Sequence, residues 1–461
     1  MGRPFRLSDD NLPFVLLFVA LAAFACAIPA QSDTFYHLRS GQAMWETGWL
    51  LEREPFSHTA HGLRLHNHWW LSQLALYGLY ALGGPVLVTA AAGACAFLAL
   101  VLAWRLVRGS VETRLLLLFA LLLVAPQWSV RPQVFSMLLL MVLARLVLAD
   151  RLAWIPPLLM IWANAHALVV MGVALTAALV AEALLWSRHR LRAAVLTAAA
   201  AAVVPMVSPL GLNYWPRVLE TVRESRHLGI LEYRSAFTPG ADAFGFWLLL
   251  AVFAITVVRA ARTIDRLTPG ERAVLLASGV FAVAAMMSLR NVAFFALVAV
   301  PTLSWLLPPA TLRQAKRAGT PAYTMLAVAV VLGGVFVASR WRDGGARIGW
   351  RPIAPSAIAA IRACPGPLFN EFDDGGILIW FVPDRPVFVD GRVEAYPAEF
   401  LRRAARVSTT ADYRGVFDEY GIRCAALNVR SRMVPALRAD PAMRSTYADD
   451  RWIVLERTPR P

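Results

Sequence analysis

The chain has 461 residues, of which 58% are hydrophobic and only 16% are charged. Soluble domains carry roughly 25% charged residues, so this composition excludes an ordinary soluble globular protein and indicates a membrane protein. The formal net charge of +15 would suit a nucleic-acid-binding protein, but the positions of the basic residues argue against that class.

Apolar stretches long enough to cross about 30 Å of hydrocarbon recur along most of the chain. We predict spans at 11–30, 85–104, 114–128, 133–149, 152–164, 167–186, 193–210, 243–259, 272–289, 291–308 and 322–339. Three of these are short, so the number of transmembrane helices is about 11. The apolar run at 69–83 is short, and we interpret it as a lateral helix packed at the membrane interface. The first run fits an uncleaved span, and the small residues after it leave a cleaved signal peptide open.

Arginine and lysine concentrate in alternate short loops. They are Arg3 and Arg6; Arg105, Arg108 and Arg114; Arg145 and Arg151; Arg188, Arg190 and Arg192; Arg259, Arg262, Arg266 and Arg272; Arg313, Lys316 and Arg317. This alternation is the positive-inside pattern, which predicts these loops and the N-terminus in the cytoplasm. The loop 31–68, the segment 211–242 and the tail after 340 are then outside. Orientation explains the basic charge, so no nucleic-acid partner is predicted.

The tail 340–461 has a higher charge density and alternates apolar runs with helical patterns. PLFN, PVFVD, RCAALNV and WIVLE predict strands, while PSAIAAIRA, PAEFLRRAARV and ADYRGVFDEYG predict helices. This alternation is typical of a small α/β domain. Cys364 and Cys424 lie in the tail, where an oxidising compartment would allow a disulfide, and the sequence leaves their pairing open.

The fold class predicted from these patterns is an all-α polytopic membrane protein with a small C-terminal extracytoplasmic α/β domain. The membrane domain covers 1–339 and includes the outer loop 31–68 and the outer segment 211–242, and the α/β domain covers 340–461.

The first outer loop is rich in histidine and contains His37, His58, His61, His66 and His68. Histidine with carboxylate and arginine suits proton transfer, metal binding and phosphate binding. Asp33 and His37 are four residues apart, so they share a face if the segment is helical. Asp33 is a candidate general base, and the alternative is that Ser32 or Asp33 caps the helix. A zinc site would need a third or fourth ligand, which the pattern does not identify, so a divalent metal stays open as a cofactor and no metal ligand is assigned.

Several polar side chains map to the outer ends of predicted spans: Arg131 in WSVRPQ, Asn164 and His166 in WANAH, and Arg290 in SLRNVAFF. Polar groups inside a membrane body are expensive and usually functional. Arginine at this depth suits a clamp on a lipid-linked phosphate, because its guanidinium makes forked hydrogen bonds. The alternative is that these side chains extend to phospholipid headgroups.

Motifs along nearly the whole chain resemble bacterial membrane glycosyltransferases of the GT-C type, a class that includes protein O-mannosyltransferases, lipid A aminoarabinose transferases and RgtA/B/C/D-like transferases. The segments that carry the resemblance are DTFYHLRSG, EPFS, HWWL, RPQ, WANAH, GGILIW and DGRVEAY. Two positions depart from the bacterial pattern. Glu54 stands where aspartate is expected, and Trp69 replaces a glutamate, which removes one carboxylate from this loop.

The resemblance implies a transferase of the bacterial cytoplasmic (inner) membrane that moves a sugar from a polyprenyl-phosphate carrier to a lipid, glycan or protein acceptor on the outer face. The class uses an acidic residue of the first outer loop as base or metal contact, which corresponds to Asp33, and Glu54 is a second catalytic candidate. His37, His68, Arg131, Asn164, His166 and Arg290 are candidate substrate-binding residues. A non-catalytic protein that binds, flips or assembles lipid-linked glycans is the alternative, as is a polymerase or ligase of such glycans.

We expect one outer-facing cavity to join Asp33, Glu54, Arg131, His166 and Arg290, because all five are assigned to the same membrane face. VFVDGRVEAY predicts a buried strand that ends in a polar turn. Asp390 and Arg392 of that turn are expected to pair or to cap within the domain, so they are not assigned as catalytic.

Overall fold

The computed structural model describes residue 8 and residues 11–227, 230–307 and 319–458. Its contacts group the chain into two units. The helical unit consists of Met1–Pro29, Val88–Gly211 and Leu231–Asp343, and the α/β unit consists of Ala30–Leu87, Leu212–Ile230 and Gly344–Pro461. The predicted domain boundaries remain a prediction. The basic residues Arg3, Arg6, Arg313, Lys316 and Arg317, which helped to predict the orientation, lie outside the described residues.

The secondary structure of the described residues is mainly helical. The helices are α1 Leu12–Ala25, α2 Ser32–Thr47, α3 Trp70–Leu106, α4 Val111–Leu121, α5 Gln133–Leu148, α6 Ile155–Ala165, α7 Val169–Leu185, α8 Leu191–Val203, α9 Tyr214–His227, α10 Phe244–Arg259, α11 Pro269–Met287, α12 Val292–Leu306, α13 Thr320–Trp341, α14 Pro355–Ala363, α15 Phe372–Phe381, α16 Ala398–Thr410, α17 Arg414–Glu419 and α18 Met433–Ala439. The strands are β1 Leu368–Phe369, β2 Cys424–Asn428, β3 Met443–Ala448 and β4 Trp452–Arg457.

Each predicted span coincides with a helix of the helical unit, because long apolar runs leave the backbone no polar partner except itself. Four helices among the described residues are long and apolar enough to cross a bilayer, or five if the bent pair Arg188–Met206 and Gly211–Arg226 forms one span. Shorter apolar helices include α1, α5, α7 and α10. The number of about 11 spans therefore stays a prediction.

Local sequence sets several helix ends in this unit. Thr268 accepts a hydrogen bond from the Glu271 N–H, Glu271 Oε2 accepts one from the Thr268 N–H, and Pro269 fills the first helical position of α11. This reciprocal capping satisfies amide groups that have no partner inside the helix. Within the unit α11 packs against α7 and α12, and α1 packs against α13.

A break divides α3 into two helices. Gly83 and Gly84 have non-helical backbone angles, and Gly84 has a φ of 60° in the left-handed region that favours glycine. Pro85 follows and has no N–H to continue the earlier helix. The run at 69–83 is thus confirmed as a helix separate from the span that begins near 85. Its place at the membrane interface stays a prediction.

The α/β unit contains a four-stranded mixed sheet in the order β1-β2-β4-β3. β1 is parallel to β2, while β4 is antiparallel to both β2 and β3. β2 and β4 supply buried apolar residues to hydrophobic clusters that also include residues of α14, α15, α16 and α17. A disulfide joins Cys364, which follows α14, to Cys424 at the start of β2. The small α/β architecture predicted for the tail is confirmed.

One predicted strand of the tail is wrong. Val387, Phe388 and Val389 are buried as expected, but they form only an isolated bridge with Ser57 and no strand of the sheet. The loop at 56–59 and the Asn370 side chain take up their backbone hydrogen-bonding groups instead. The sequence also missed α15, α18 and β3.

Candidate active site

Two arginines that are far apart in sequence share one carboxylate in the helical unit. Arg131 Nη2 lies 3.2 Å from Glu232 Oε2, and Arg290 Nη1 lies 3.0 Å from Glu232 Oε1. Arg290 Nη2 lies 3.1 Å from Nε2 of His166. We call these four residues, Arg131, His166, Glu232 and Arg290, the arginine network. It brings together three of the residues that the sequence proposed for substrate binding.

Short segments next to helix ends hold the arginine network. Arg131 precedes α5, and its Nε donates to Ser129 Oγ at 2.9 Å. Glu232 lies in a 3-10 turn, Leu231–Tyr233, and its carbonyl oxygen accepts a hydrogen bond from Ser288 Oγ at 3.1 Å. Arg290 lies in the 3-10 turn between α11 and α12, and it donates to the hydroxyl of Tyr233. The guanidinium carbon of Arg290 lies 5.1 Å from the Tyr233 ring centroid, which adds a cation–π contact.

The charges of the arginines decide the ionisation of Glu232. Burial alone would raise the pKa of Glu232, but the positive charges of Arg290 and Arg131 outweigh burial and lower it. Glu232 is therefore an anion that orients two cations. These three groups carry two positive charges and one negative charge, so their net charge of +1 favours an anionic ligand.

Contacts on both ring nitrogens hold His166 in place. Arginine can only donate, so the contact from Arg290 requires Nε2 of His166 to be an acceptor. On the other side of the ring, His166 Nδ1 lies 2.9 Å from Ser136 Oγ and 3.3 Å from the backbone nitrogen of Leu168. Ser136 Oγ accepts from the indole of the buried Trp162 at 2.8 Å. This chain of contacts fixes the imidazole and leaves Arg290 directed by both His166 and Glu232.

Asn164 donates its hydrogen bonds to backbone carbonyl groups outside the arginine network. Its Nδ2 donates to the carbonyl oxygen of Met160 at 2.9 Å and to that of Val207 at 3.2 Å. These two hydrogen bonds tie the end of α6 to the segment after α8. A role of Asn164 in substrate binding stays a prediction.

Asp33 lies in the first turn of α2 in the α/β unit. The helix begins at Ser32 with Gln31 as its N-cap, so the expectation that Ser32 or Asp33 caps it is wrong. The chain enters the helix one residue earlier because Thr34 Oγ1 accepts a hydrogen bond from the Gln31 N–H at 2.9 Å. A carboxylate in a first helical turn is stabilised by the helix dipole. Asp33 and His37 share a helix, as their spacing predicted.

The two candidate histidines of the loop are buried. His37 Nδ1 lies 3.3 Å from Gln73 Nε2, and Gln73 Oε1 accepts a hydrogen bond from Asn67 at 2.7 Å. The ring of His68 lies tilted against that of Trp69 with 4.1 Å between ring centroids, and its Nδ1 lies 3.3 Å from the carbonyl oxygen of His66. These contacts link α2 to the start of α3, and substrate binding by either histidine remains a prediction.

Glu54 lies in a buried ion cluster with Asp390, Arg392 and Tyr396. Arg392 is 1% exposed, Glu54 is 1% exposed and Asp390 is fully buried. Arg392 Nη1 lies 2.6 Å from Glu54 Oε2, and its Nε and Nη2 each lie 2.7 Å from an oxygen of Asp390. The expected pairing of Asp390 with Arg392 is confirmed.

Electrostatics keep Arg392 charged inside this cluster. Burial alone would lower the pKa of Arg392, but Asp390 and Glu54 outweigh it and hold that pKa well above its ordinary range. Tyr396 donates to Asp390 Oδ2 at 2.6 Å, and burial together with the charge of Asp390 raises the pKa of Tyr396 far above normal. A metal ion has no matching site here: among the described residues, no group of three or more His, Cys, Asp and Glu side chains could hold one.

Solved structures identify the fold. No protein-family model matches the sequence, and no curated protein matches it either. The chain is similar to the oligosaccharyltransferase of Archaeoglobus fulgidus in its apo form, with a TM-score of 0.57 and 10% identity over 90% of this chain and 69% of that one. It is also similar to ArnT from Cupriavidus metallidurans bound to undecaprenyl phosphate, with a TM-score of 0.52 and 15% identity over 96% of both chains. The chain has the fold of GT-C membrane glycosyltransferases.

Another structure with this GT-C fold is archaeal AglB from Archaeoglobus fulgidus in complex with an inhibitory peptide and a dolichol-phosphate, with a TM-score of 0.54 and 10% identity over 90% of this chain and 69% of that one. Within the GT-C fold of this chain, sequence reasoning missed Glu232, which joins the two arginines. The signal that could have found it was an acidic residue in a short segment, GILEYRS, that the positive-inside pattern places outside with Arg131 and Arg290.

Proposed function

We propose that the protein is a membrane glycosyltransferase that moves a sugar, with inversion, from a polyprenyl-phosphate carrier to a lipid, glycan or protein acceptor on the outer face of the membrane. Asp33 takes the proton of the acceptor hydroxyl as its oxygen attacks the anomeric carbon of the sugar. The bond from that carbon to the carrier phosphate breaks, and the phosphate leaves with the bonding electrons. The Asp33 carboxyl then releases its proton to solvent.

Arg131 and Arg290 would offset the charge on the departing phosphate. The observation that carries this part of the proposal is the arginine network, in which one carboxylate and one imidazole direct two guanidinium groups. Guanidinium groups bind phosphate oxygens through forked hydrogen bonds, and pre-oriented cations stabilise developing charge without reorganisation. The fold adds support, because solved structures that share it carry undecaprenyl phosphate or a dolichol-phosphate.

Glycan analysis in the source organism tests the proposal and identifies the transferred sugar in the same experiment. A strain that lacks the protein is complemented with the wild type or with Asp33→Asn, and its lipids and surface glycans are compared by mass spectrometry. We expect the wild type to restore one sugar modification. We expect Asp33→Asn to restore none and to accumulate the polyprenyl-phosphate sugar, since loss of a general base costs about 10²–10⁴-fold in rate.

Binding of undecaprenyl phosphate to the purified protein, measured by native mass spectrometry, separates the two roles. Asp33→Asn should bind within about twofold of the wild type, and Arg290→Lys should bind about tenfold more weakly, because lysine cannot form the forked contact. Arg259→Lys, at an exposed position at the end of α10, is the matched control. Restoration of the modification by Asp33→Asn would overturn the enzymatic proposal and favour a non-catalytic lipid-linked glycan binder.

A further inference from the structure

The turn Asp390-Gly391-Arg392 lies directly against the first turn of α2. A β-carbon placed on Gly391 would lie 2.9 Å from Oδ1 of Asp33 and 3.1 Å from Cε1 of Tyr36. Real β-carbons essentially never come closer than 3.0 Å to another heavy atom. Any residue other than glycine at 391 would therefore displace the carboxylate of Asp33 or the turn itself.

Two more glycines make close contacts in the same place. A β-carbon on Gly376 of α15 would lie 2.7 Å from Oγ of Ser32, the residue before Asp33. One on Gly375 would lie 2.6 Å from Cα of Asp390. We call Gly375, Gly376 and Gly391 the glycine joint. Gly376 and Gly375 let α15 approach the backbone of α2 and of residues 389–390, and Gly391 lies against the side chains of Asp33 and Tyr36. The position of Asp33 is therefore set by three elements and not by α2 alone.

The buried ion cluster holds the 390–392 turn in place. Asp390 Oδ1 accepts from the backbone N–H of Arg392 at 3.0 Å as well as from its side chain, which closes the turn. Glu54 Oε1 accepts from the N–H groups of Phe56 and Ser57 at 2.6 and 2.9 Å, so the same carboxylate ties Arg392 to the 54–57 loop. The Arg392 guanidinium also lies 5.0 Å from the Phe56 ring centroid.

Both oxygens of Glu54 contact groups of this cluster, and among the described residues only Oε1 accepts hydrogen bonds. Oε1 accepts three hydrogen bonds, and Oε2 forms the ion pair with Arg392. A carboxylate that is 1% exposed and bound in this way has no surface with which to take a proton from an acceptor. Removing one partner of a buried ion pair leaves the other charge uncompensated, which is strongly destabilising. The charges of the cluster therefore stay together and support the turn rigidly.

We propose that Gly391 is a positioning residue that sets the direction of the Asp33 carboxylate, and that Glu54 and Arg392 act on the reaction only by fixing the 390–392 turn. This inference rests on the proposed role of Asp33 as the base. It assigns Glu54 a positioning role in place of proton transfer.

Enzyme kinetics on the purified full chain, with the donor identified by the glycan analysis, tests this inference. Gly391→Ala should lower kcat by up to about tenfold, because the added methyl group moves Oδ1 of Asp33 by tenths of an ångström and a misplacement of the order of 1 Å costs up to about 10²-fold in rate. Its affinity for undecaprenyl phosphate should stay within about twofold. The acidic limb of its rate–pH profile should move to higher pH, since a methyl group against Oδ1 removes water from the charged carboxylate. Gly415→Ala, where a β-carbon would meet nothing within 4 Å, is the matched control.

Glu54→Gln keeps the test decisive if Gly391→Ala proves unstable. Glutamine preserves the shape and one acceptor oxygen, so we expect it to retain at least about a tenth of kcat, with the carrier affinity unchanged. A folded Glu54→Gln protein as inactive as Asp33→Asn would show Glu54 in proton transfer and overturn the inference. So would Gly391→Ala with wild-type kcat and pH profile. Activity in Asp33→Asn would instead overturn the proposed function.

Discussion

Arg131 and Arg290 differ from the basic residues of the exposed loops in how they are held. Their side chains are only 16% and 14% exposed, and both face Glu232. Taking a charge out of water costs several kcal/mol unless a partner of opposite sign compensates it. The Glu232 carboxylate orients both guanidinium groups. The local charge of these residues therefore favours a phosphate more strongly than a solvated surface arginine would.

Glu394, next to the buried ion cluster, gives a pH-dependent prediction. Burial raises its pKa from an ordinary value of 4.5 to about 8. A raised carboxyl pKa means that the folded protein favours the protonated form of Glu394. The protonated carboxyl therefore contributes fully to the free energy of unfolding below about pH 4.5, and this contribution is lost as the pH rises through 8. Glu394→Gln should therefore unfold at a temperature that depends less on pH between those values, by roughly 2–4 °C over the range.

Differential scanning fluorimetry of the purified protein at a series of pH values measures this effect. Glu399→Gln, at an exposed position in the first turn of α16, should reproduce the wild-type curve. Parallel curves for the wild type and Glu394→Gln would show that Glu394 is ionised in the folded protein at neutral pH.

At the scale of secondary structure, the disulfide fixes the start of the sheet in the α/β unit. Cys364 and Cys424 are 60 residues apart, and Leu368 of β1 pairs with Cys424 of β2. A cross-link over a loop of this length restricts the unfolded chain and stabilises the fold by about 4 kcal/mol in the chain-entropy account. The variant Cys364→Ser with Cys424→Ser should therefore have a lower Tm than the wild type.

Dithiothreitol offers an independent check on the disulfide. The reductant should lower the Tm of the wild type toward that of the double variant and should leave the double variant unchanged. Cys26 and Cys95 are free in the described structure, so replacing both with serine should preserve the response to reductant. A wild-type Tm insensitive to reductant would contradict this account.

Sequence predicted elements well where one physical signal dominates. The apolar helices follow from apolar runs in the sequence, and β2 and β4 follow from short apolar runs bounded by polar residues. PVFVD carries the same signal, yet its backbone bonds to a loop some 330 residues earlier and to the Asn370 side chain. Apolar content predicts burial, whereas the choice of hydrogen-bonding partner depends on the tertiary structure.

Part of the candidate site was also predictable, because a single physical signal marks three of its residues. Depth and charge single out Arg131, His166 and Arg290 from the sequence, because polar groups at the ends of apolar spans are expensive. The roles of Glu54 and Gly391 depend on which segments touch, and no local pattern reports that. DGR and EPFS are over 300 residues apart in sequence, and only the fold brings Arg392 to Glu54.

At the scale of the whole molecule, each of the two units is assembled from three separate stretches of chain. The chain must therefore leave and re-enter each unit more than once. Two residues of the candidate site lie close to these transitions, Asp33 just after Pro29 and Glu232 just after Ile230. Whether one cavity joins Asp33 to the arginine network remains a prediction.

The orientation in the membrane is the prediction that applies to the chain as a whole. α13 has 22 residues, which at 1.5 Å per residue is about 33 Å, enough to cross the hydrocarbon of a bilayer. The basic residues before it predict that its N-terminal end is cytoplasmic.

Alkaline phosphatase fused after Arg340 should be active, whereas a fusion after Arg317 should be inactive. Green fluorescent protein at the same two positions should give the opposite signals. A fusion after Arg266, in another basic loop, should behave like the one after Arg317. The same reporter signal after Arg317 and Arg340 would mean that α13 does not cross, and the outer location of the α/β unit would then have no support from charge.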